Sequence, residues 1–284
     1  MVDQYAKPLN KIDRYAVLGN PIAHSKSPQI HAAFAKQTGQ HISYEAMLAP
    51  LDGFAATVQD LIAQGYNGAN VTVPFKFEAF ALCDDLSARA FAAGAVNTLM
   101  FESGKINGDN TDGAGLINDI TLNLGVALQG AQILMLGAGG AAQGVLLPLL
   151  NAKPAGITIA NRRLEKAQLM VQKMAAQNAV FNITISHYEH LQGEFDLIIN
   201  ATSTGLSNSA LPIPNSIFAK NCLAYDMMYG RETPFMAQAR ANGAQAADGL
   251  GMLVEQAAEA FYLWRGVRPK TAPVIALMKN ARDL

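Results

Sequence analysis

Short apolar runs alternate with helical stretches along the chain. One run, Ile133–Leu136, breaks directly into a glycine-crowded turn, Gly137-Ala138-Gly139-Gly140-Ala141. Half of the 284 residues are apolar and only 15% are charged, so a large core is expected. Together these observations predict an α/β protein of two domains. The first is an N-terminal α/β domain with a mixed sheet. The second is a Rossmann-like, doubly wound domain, after which C-terminal helices return to the first. The expected boundaries are 1–112 plus 249–284 for the first domain and 113–248 for the second.

Taken in order, Tyr15–Gly19 reads as a strand ending in the turn Gly19-Asn20-Pro21. The polar loop Ile22–Pro28 leads into a helix, Gln29–Thr38, with Ser27 expected as its N-cap and Pro28 at its first position. Ser43–Met47 is a second strand, Phe54–Gly65 a helix, and Gly68–Pro74 a third β run followed at once by Phe75-Lys76. Ala95–Leu99 is β-like, and Gly108–Gly113 is a polar crossing in which Asp112 suits the N-cap of a helix over Ala114–Leu124. The second half supplies strands at Gln132–Leu136, Gly156–Ala160, Phe195–Asn200, Leu223–Asp226 and Gln245–Asp248. Helices between them begin near Ala141, Leu164 and Thr233. Helices over Gly251–Gly266 and Val274–Arg282 close the chain.

Composition excludes several function classes. Lys+Arg number 21 against Asp+Glu 22, a balance that offers no basic face to nucleic acid. Met1–Tyr15 carries charges throughout, without an apolar signal region. No run approaches the ~18 apolar residues that span a bilayer. Cys83 and Cys222 are too few and too distant for a metal motif or a disulfide framework, and His187 and His190 read as a solvated helix or loop. The expectation is a soluble, cytoplasmic protein without a bound metal, whose partner is a small molecule. Neither nucleic acid nor membrane is expected, and a homodimer is left open.

Strand, glycine turn and helix in succession set free backbone N–H groups at a helix N-terminus, where a pyrophosphate can be held. Gly137 allows the tight turn, Gly139 lets phosphates approach, and Ala142 takes the third small position of the G-x-G-x-x-G/A pattern. An NAD site wants a carboxylate about 20 residues further on. Here the next strand ends in Asn161-Arg162-Arg163. Arginines meet a ribose 2′-phosphate with charge-assisted bonds, and two such bonds give roughly 10²–10⁴-fold preference for the phosphorylated cofactor. The expected cofactor is NADP.

In a parallel or mixed α/β sheet, ligands gather at the carboxyl ends of strands, where Ser25, Thr72 and Lys76 fall. Hydride reduction of a ketone creates an alkoxide that must be protonated. An ammonium group both stabilises that charge and delivers the proton, which makes Lys76 the candidate acid and Asp112 its orienting partner. An unpaired lysine is an ordinary surface residue, so this role requires the two segments to meet in space.

The segments Gly19–Pro28, Asn70–Lys76, Gly94–Thr98, Asn110–Gly113, Gly137–Ala141, Asn161-Arg162, Asn200–Gly205, Tyr225–Met227 and Asp248–Gln256 together resemble the shikimate dehydrogenase family over nearly the whole chain. The resemblance implies NADPH-dependent reduction of 3-dehydroshikimate to shikimate, in the pathway to chorismate and the aromatic amino acids, with Lys76 and Asp112 as catalytic pair. It implies that Ser25 and Ser27 hold the substrate carboxylate, with Tyr229 nearby. Thr72, Asn97, Asp112 and Gln256 would bind ring hydroxyls. Gly137, Ala138, Gly139, Gly140 and Ala141 would hold the pyrophosphate; Asn161, Arg162 and Lys166 the adenosine phosphate; Met227 and Gly249 would line the nicotinamide.

Two departures stand out. The family often has arginine where Lys166 stands and a small hydroxyl residue where Arg163 stands, so the grip on NADP is redistributed. An acidic residue that touches the cofactor in some relatives is Ala88 here. Three rival readings follow. An NAD-using quinate/shikimate dehydrogenase is opposed by Asn161-Arg162. A sensor that lost catalysis is opposed by the retained Lys76 and Asp112. A methylene-tetrahydrofolate-type dehydrogenase is opposed by the Ser25/Ser27 loop.

Overall fold

A computed structural model describes residues 12–175, 182–204 and 209–280. Most of the charged N-terminal segment, Gly205 of the Asn200–Gly205 motif, and Arg282 therefore lie outside the described residues. Two six-stranded sheets organise the chain.

The first sheet is mixed. Strand β1 (Asp13–Gly19) is interior, next to one edge, and buried at Tyr15–Leu18, as a strand covered on both faces should be. It pairs in parallel with β2 (Ile42–Leu48) and β3 (Gly68–Val71). Next, β5 (Thr98–Glu102) runs antiparallel to β3 and forms a hairpin with β6 (Lys105–Asp109), while β4 (Asp85–Leu86) closes the edge. The expected strand over Ala95–Leu99 thus begins only at Thr98. Its hairpin partner escapes detection because Asn107-Gly108-Asp109 has the composition of a turn. Helices α1 (Ser27–Thr38), α2 (Phe54–Ala63), α3 (Lys76–Leu82) and α4 (Ala88–Ala93) connect these strands.

The second sheet is parallel throughout, in the order β9 (Ile183–Ser186), β8 (Gly156–Ala160), β7 (Gln132–Leu136), β10 (Phe195–Asn200), β11 (Phe218–Asp226) and β12 (Gln245–Asp248). This is the doubly wound order, with its switch point between β7 and β10. Strand β9 was not expected, and β11 starts five residues before the predicted Leu223. The helices are α6 (Gly140–Asn151), α7 (Leu164–Ala175) and α8 (Pro234–Ala241), the last capped by the Thr233 hydroxyl.

Two crossings join the sheets. The helix expected over Ala114–Leu124 is a composite: α5 (Asp112–Asn118) is followed by one π turn, Asp119–Asn123. The return is α9 (Leu250–Arg265) followed by α10 (Ala272–Asn280). Tyr225 donates to Asp119 at 2.6 Å, and the Asn123 amide bridges Asp119 and Glu255 at 3.0 Å each, so both crossings and β11 are tied together.

Helices α9 and α10 cover the first sheet as predicted. Leu250, Val254, Phe261, Val274 and Met278 bury themselves with Ile30 and Phe34 of α1, each such side chain contributing about 1.5–3 kcal/mol. The Trp264 indole donates to the Leu99 carbonyl at 3.1 Å and stacks on Tyr15. Within this cluster His31 is fully buried, stacked 4.1 Å from Tyr44, and neither ring nitrogen meets a partner. Burial drives its pKa from the ordinary 6.5 down to about 3, with nearby Asn70 offsetting only part of the effect.

Candidate active site

All eight residues expected to contact substrate line one cavity of about 440 Å³. Its centre is an ion pair: Lys76 Nζ lies 2.5 Å from Asp112 Oδ2. The segments carrying them, 36 residues apart, do meet. Each is the first residue of its helix. A carboxylate suits that position and an ammonium does not, so Lys76 gains there only through its partner. Thr111, not Asp112, occupies the N-cap of α5, which leaves the Asp112 carboxylate free to face the cavity. Its second oxygen, Oδ1, accepts from the Asn97 amide at 2.8 Å. Asn97 Oδ1 in turn accepts the Thr111 N–H at 2.9 Å, and Gln256 Oε1 stands 3.4 Å from the Asn97 amide. The pair is thus held from three elements.

The serine loop needs one correction. Ser27 is not the N-cap of α1: the helix begins at Ser27, the cap position is Lys26, and Pro28 follows one place later than expected. Ser25 supplies the local bond instead, its hydroxyl oxygen accepting the Ser27 N–H at 3.3 Å. The helix starts one residue sooner than a Ser27 cap would allow, and Ser27 is buried in the wall of the cavity. The N-terminus of a 12-residue helix then faces the position assigned to a carboxylate, where its dipole favours negative charge.

Asn70 and Tyr44 were missed as site residues. The Tyr44 hydroxyl donates to Asn70 Oδ1 at 2.7 Å, and the Asn70 amide reaches the Asn97 carbonyl and Thr98 Oγ1, both at 3.1 Å. Asn70 lines the cavity. A short polar side chain inside a β run was the available signal, since a buried amide needs several partners.

A second cavity, of about 770 Å³, is lined by Gly137, Ala138, Gly139, Gly140 and Ala141 together with Asn161, Arg162, Arg163 and Lys166. Gly137 has φ +106°, a conformation open to glycine, and a side chain there would also press on the Ala201 carbonyl at 3.2 Å. Space around Gly139 is open, as a phosphate cradle requires. Helix α6 starts at Gly140, so its unpaired N–H groups face the cavity. Asn161 donates its amide to the Arg163 carbonyl at 2.7 Å, fixing the turn that presents both arginines. This donor set suits a phosphorylated dinucleotide. His187, read as solvated from the sequence, lines this cavity instead, because the unpredicted strand β9 delivers it there. Burial raises the pKa of neighbouring Tyr188, while the Arg162 charge pulls it back.

Ala141 belongs to both cavities, so they meet. Met227 and Gly249, expected at the nicotinamide, line the first cavity rather than the glycine-loop cavity. Among the described residues no three His, Cys, Asp or Glu side chains gather as metal ligands, and no helix is long and apolar enough to cross a membrane.

A doubly wound sheet whose glycine loop and arginines open beside a half-buried lysine–aspartate pair defines a dinucleotide-dependent oxidoreductase. Comparison with known proteins narrows the class. Residues 17–99 match the family model of the shikimate dehydrogenase substrate binding domain, 120–208 that of shikimate/quinate 5-dehydrogenase, and 249–279 that of the shikimate 5′-dehydrogenase C-terminal domain. The chain is 58% identical over 272 residues to shikimate dehydrogenase (NADP(+)) of Methylobacillus flagellatus, covering 95% of this chain and 100% of that protein. Among solved structures, an Ael1 enzyme from Pseudomonas putida superposes with a TM-score of 0.89 at 47% identity, covering 93% and 97% of the two chains. Shikimate 5-dehydrogenase from Thermus thermophilus, in complex with NADP(H) and shikimate, gives 0.84 at 33% identity, covering 95% and 100%. The chain belongs to the shikimate dehydrogenase family.

Proposed function

We propose that this chain catalyses the reversible, NADPH-dependent reduction of 3-dehydroshikimate to shikimate, with Lys76 and Asp112 as the catalytic pair. The observation that carries this reading is the 2.5 Å Lys76–Asp112 contact inside a cavity lined by every expected substrate partner. Bound NADPH supplies the hydride. Lys76 donates the proton that quenches the developing alkoxide, and its charge stabilises that oxygen beforehand. Asp112 orients the ammonium and accepts from a ring hydroxyl, while Thr72, Asn97 and Gln256 bind the ring hydroxyls. Ser25 and Ser27 bind the carboxylate, with Tyr229 beside it. On this reading 1–112 with 249–284 holds the substrate, and 113–248 holds NADP through Gly137–Ala141, Asn161, Arg162, Arg163 and Lys166.

The test follows cofactor absorbance with shikimate and quinate, each offered with NADP⁺ and NAD⁺. Turnover dominated by the shikimate–NADP⁺ pair is expected. Comparable rates with quinate or with NAD⁺ would favour a quinate/shikimate dehydrogenase of relaxed choice, for which the Arg163/Lys166 exchange is the structural motive. Arg162→Ala is expected to raise the KM for NADPH roughly tenfold or more, leaving that for NADH within about twofold. Equal changes would show that Arg162 does not read the 2′-phosphate. A cytoplasmic location belongs to the same proposal. It is supported by two unpaired thiols, whose pKa values burial raises to about 12 at Cys83 and about 11 at Cys222.

A further inference from the structure

Asn200 and Asp226 lie opposite one another at the carboxyl ends of β10 and β11, and both are fully buried. Asp226 Oδ2 accepts from the Asn200 amide at 3.0 Å and the Thr233 hydroxyl at 2.6 Å, and its Oδ1 accepts the Met228 N–H at 2.9 Å. Asn200 Oδ1 accepts both the N–H and the hydroxyl of Thr202, at 3.1 and 2.7 Å. The Asn200 main-chain carbonyl accepts the Met227 N–H at 3.0 Å. A buried carboxylate is tolerated only while its lone pairs are filled, so each donor is fixed relative to the others.

Those donors sit on segments with different tasks. Thr202, and Thr204 bonded to it at 2.7 Å, line the glycine-loop cavity. Met227 and Tyr229 line the substrate cavity, which neither Asn200 nor Asp226 enters. Gly249 seals the far side of the Met227 segment: a Cβ there would lie 2.4 Å from the Met227 carbonyl oxygen. The segment therefore has no slack in either direction.

We propose that Asp226, acting with Asn200, is a positioning residue for the reaction. It sets the Met227–Tyr229 segment against the substrate cavity and the Thr202–Thr204 turn against the cofactor cavity as one unit. The identity of the two ligands rests on the shikimate dehydrogenase reading; the coupling of the two segments does not. Misplacing reacting groups by about 1 Å can cost on the order of 10²-fold in rate even when binding survives.

The experiment compares the parent with Asp226→Asn, Thr233→Val and Thr233→Ser. It measures kcat and KM for shikimate with NADP⁺, Kd for NADPH, and the emission of bound NADPH, which reports the surroundings of the nicotinamide. Asp226→Asn is expected to lower kcat on the order of 10²-fold, to shift the bound emission, and to leave the NADPH Kd within about threefold, since none of the hydrogen bonds of Asp226 reaches Arg162 or Lys166, the residues proposed to grip the phosphate. Thr233→Val is expected to share the kinetic loss, and Thr233→Ser, which keeps the hydroxyl, to recover most of it. If Asp226→Asn does not fold, the Thr233 pair decides alone. Val and Ser variants with the same kcat and the same emission would overturn the proposal, as would an Asp226→Asn enzyme that is merely less heat-stable. A parent inactive with shikimate would refute the functional reading, and the emission shift would still test the positioning role.

Discussion

Lys76→Ala is expected to lower kcat for shikimate oxidation by at least ~10²-fold, with a smaller change in KM. The expectation comes from what the ammonium does at different stages. In the ground state it contributes one hydrogen bond among many in the cavity. On the proposed mechanism it carries the proton in transit in the transition state and faces the charge growing on oxygen, so its loss falls on kcat. The same truncation leaves the Asp112 carboxylate, held by Asn97, without its cation at 2.5 Å. Steady-state kinetics of the purified variant, with circular dichroism to establish folding, provides the check. Turnover near the parent's would remove Lys76 from the mechanism.

Acid is expected to unfold this protein through His31. The group titrates near 6.5 in an unfolded chain and near 3 when buried here. Between those values the unfolded state binds a proton that the folded state refuses, so the unfolded state gains stability as pH falls. The contribution of His31 is therefore complete above about pH 6.5 and shrinks by about 1.4 kcal/mol per pH unit below it, on the order of 5 kcal/mol by pH 3. That is comparable to the whole stability of many domains. Urea midpoints measured from pH 4.5 to 7.5 should slope steeply for the parent and much less for His31→Leu, which also removes two unpartnered nitrogens. Equal slopes would assign the acid sensitivity to other groups.

Most strands of both sheets, and the helix that returns to the first, were legible because buried strands read as apolar runs between turn residues. The glycine turn and the arginines after the next strand were legible because few other residue types suit phosphate. What escaped detection did so for physical reasons. Strand β6 is written in turn residues, so composition misassigns it. The π turn at Asp119–Asn123 adds one residue to a single turn, closing with the Leu124 N–H on the Asp119 carbonyl, and one turn is too short for a sequence period to reveal. Ser27 looked like a cap because serine before proline usually is one. The burial that takes it into the helix one residue sooner involves Tyr44, which reaches Ser27 from elsewhere in the chain. Asn70 and Asp226 fall inside the matching motifs but carry no legible role there, since the roles of buried polar groups are defined by partners that only the fold brings near.

Helices α9 and α10 also decide when the first sheet can be completed during synthesis. Ile30 and Phe34 of α1 find their apolar partners in α9 and α10, which are synthesised after the whole parallel sheet. Until then the helix that begins at Ser27 shows a greasy face to water. At roughly 5–20 residues per second, the parallel sheet between them takes on the order of ten seconds to appear. The parallel sheet can form while the first sheet waits, so the half of the molecule made first is completed last. Through that interval the nascent chain carries an exposed apolar helix, the feature a chaperone recognises.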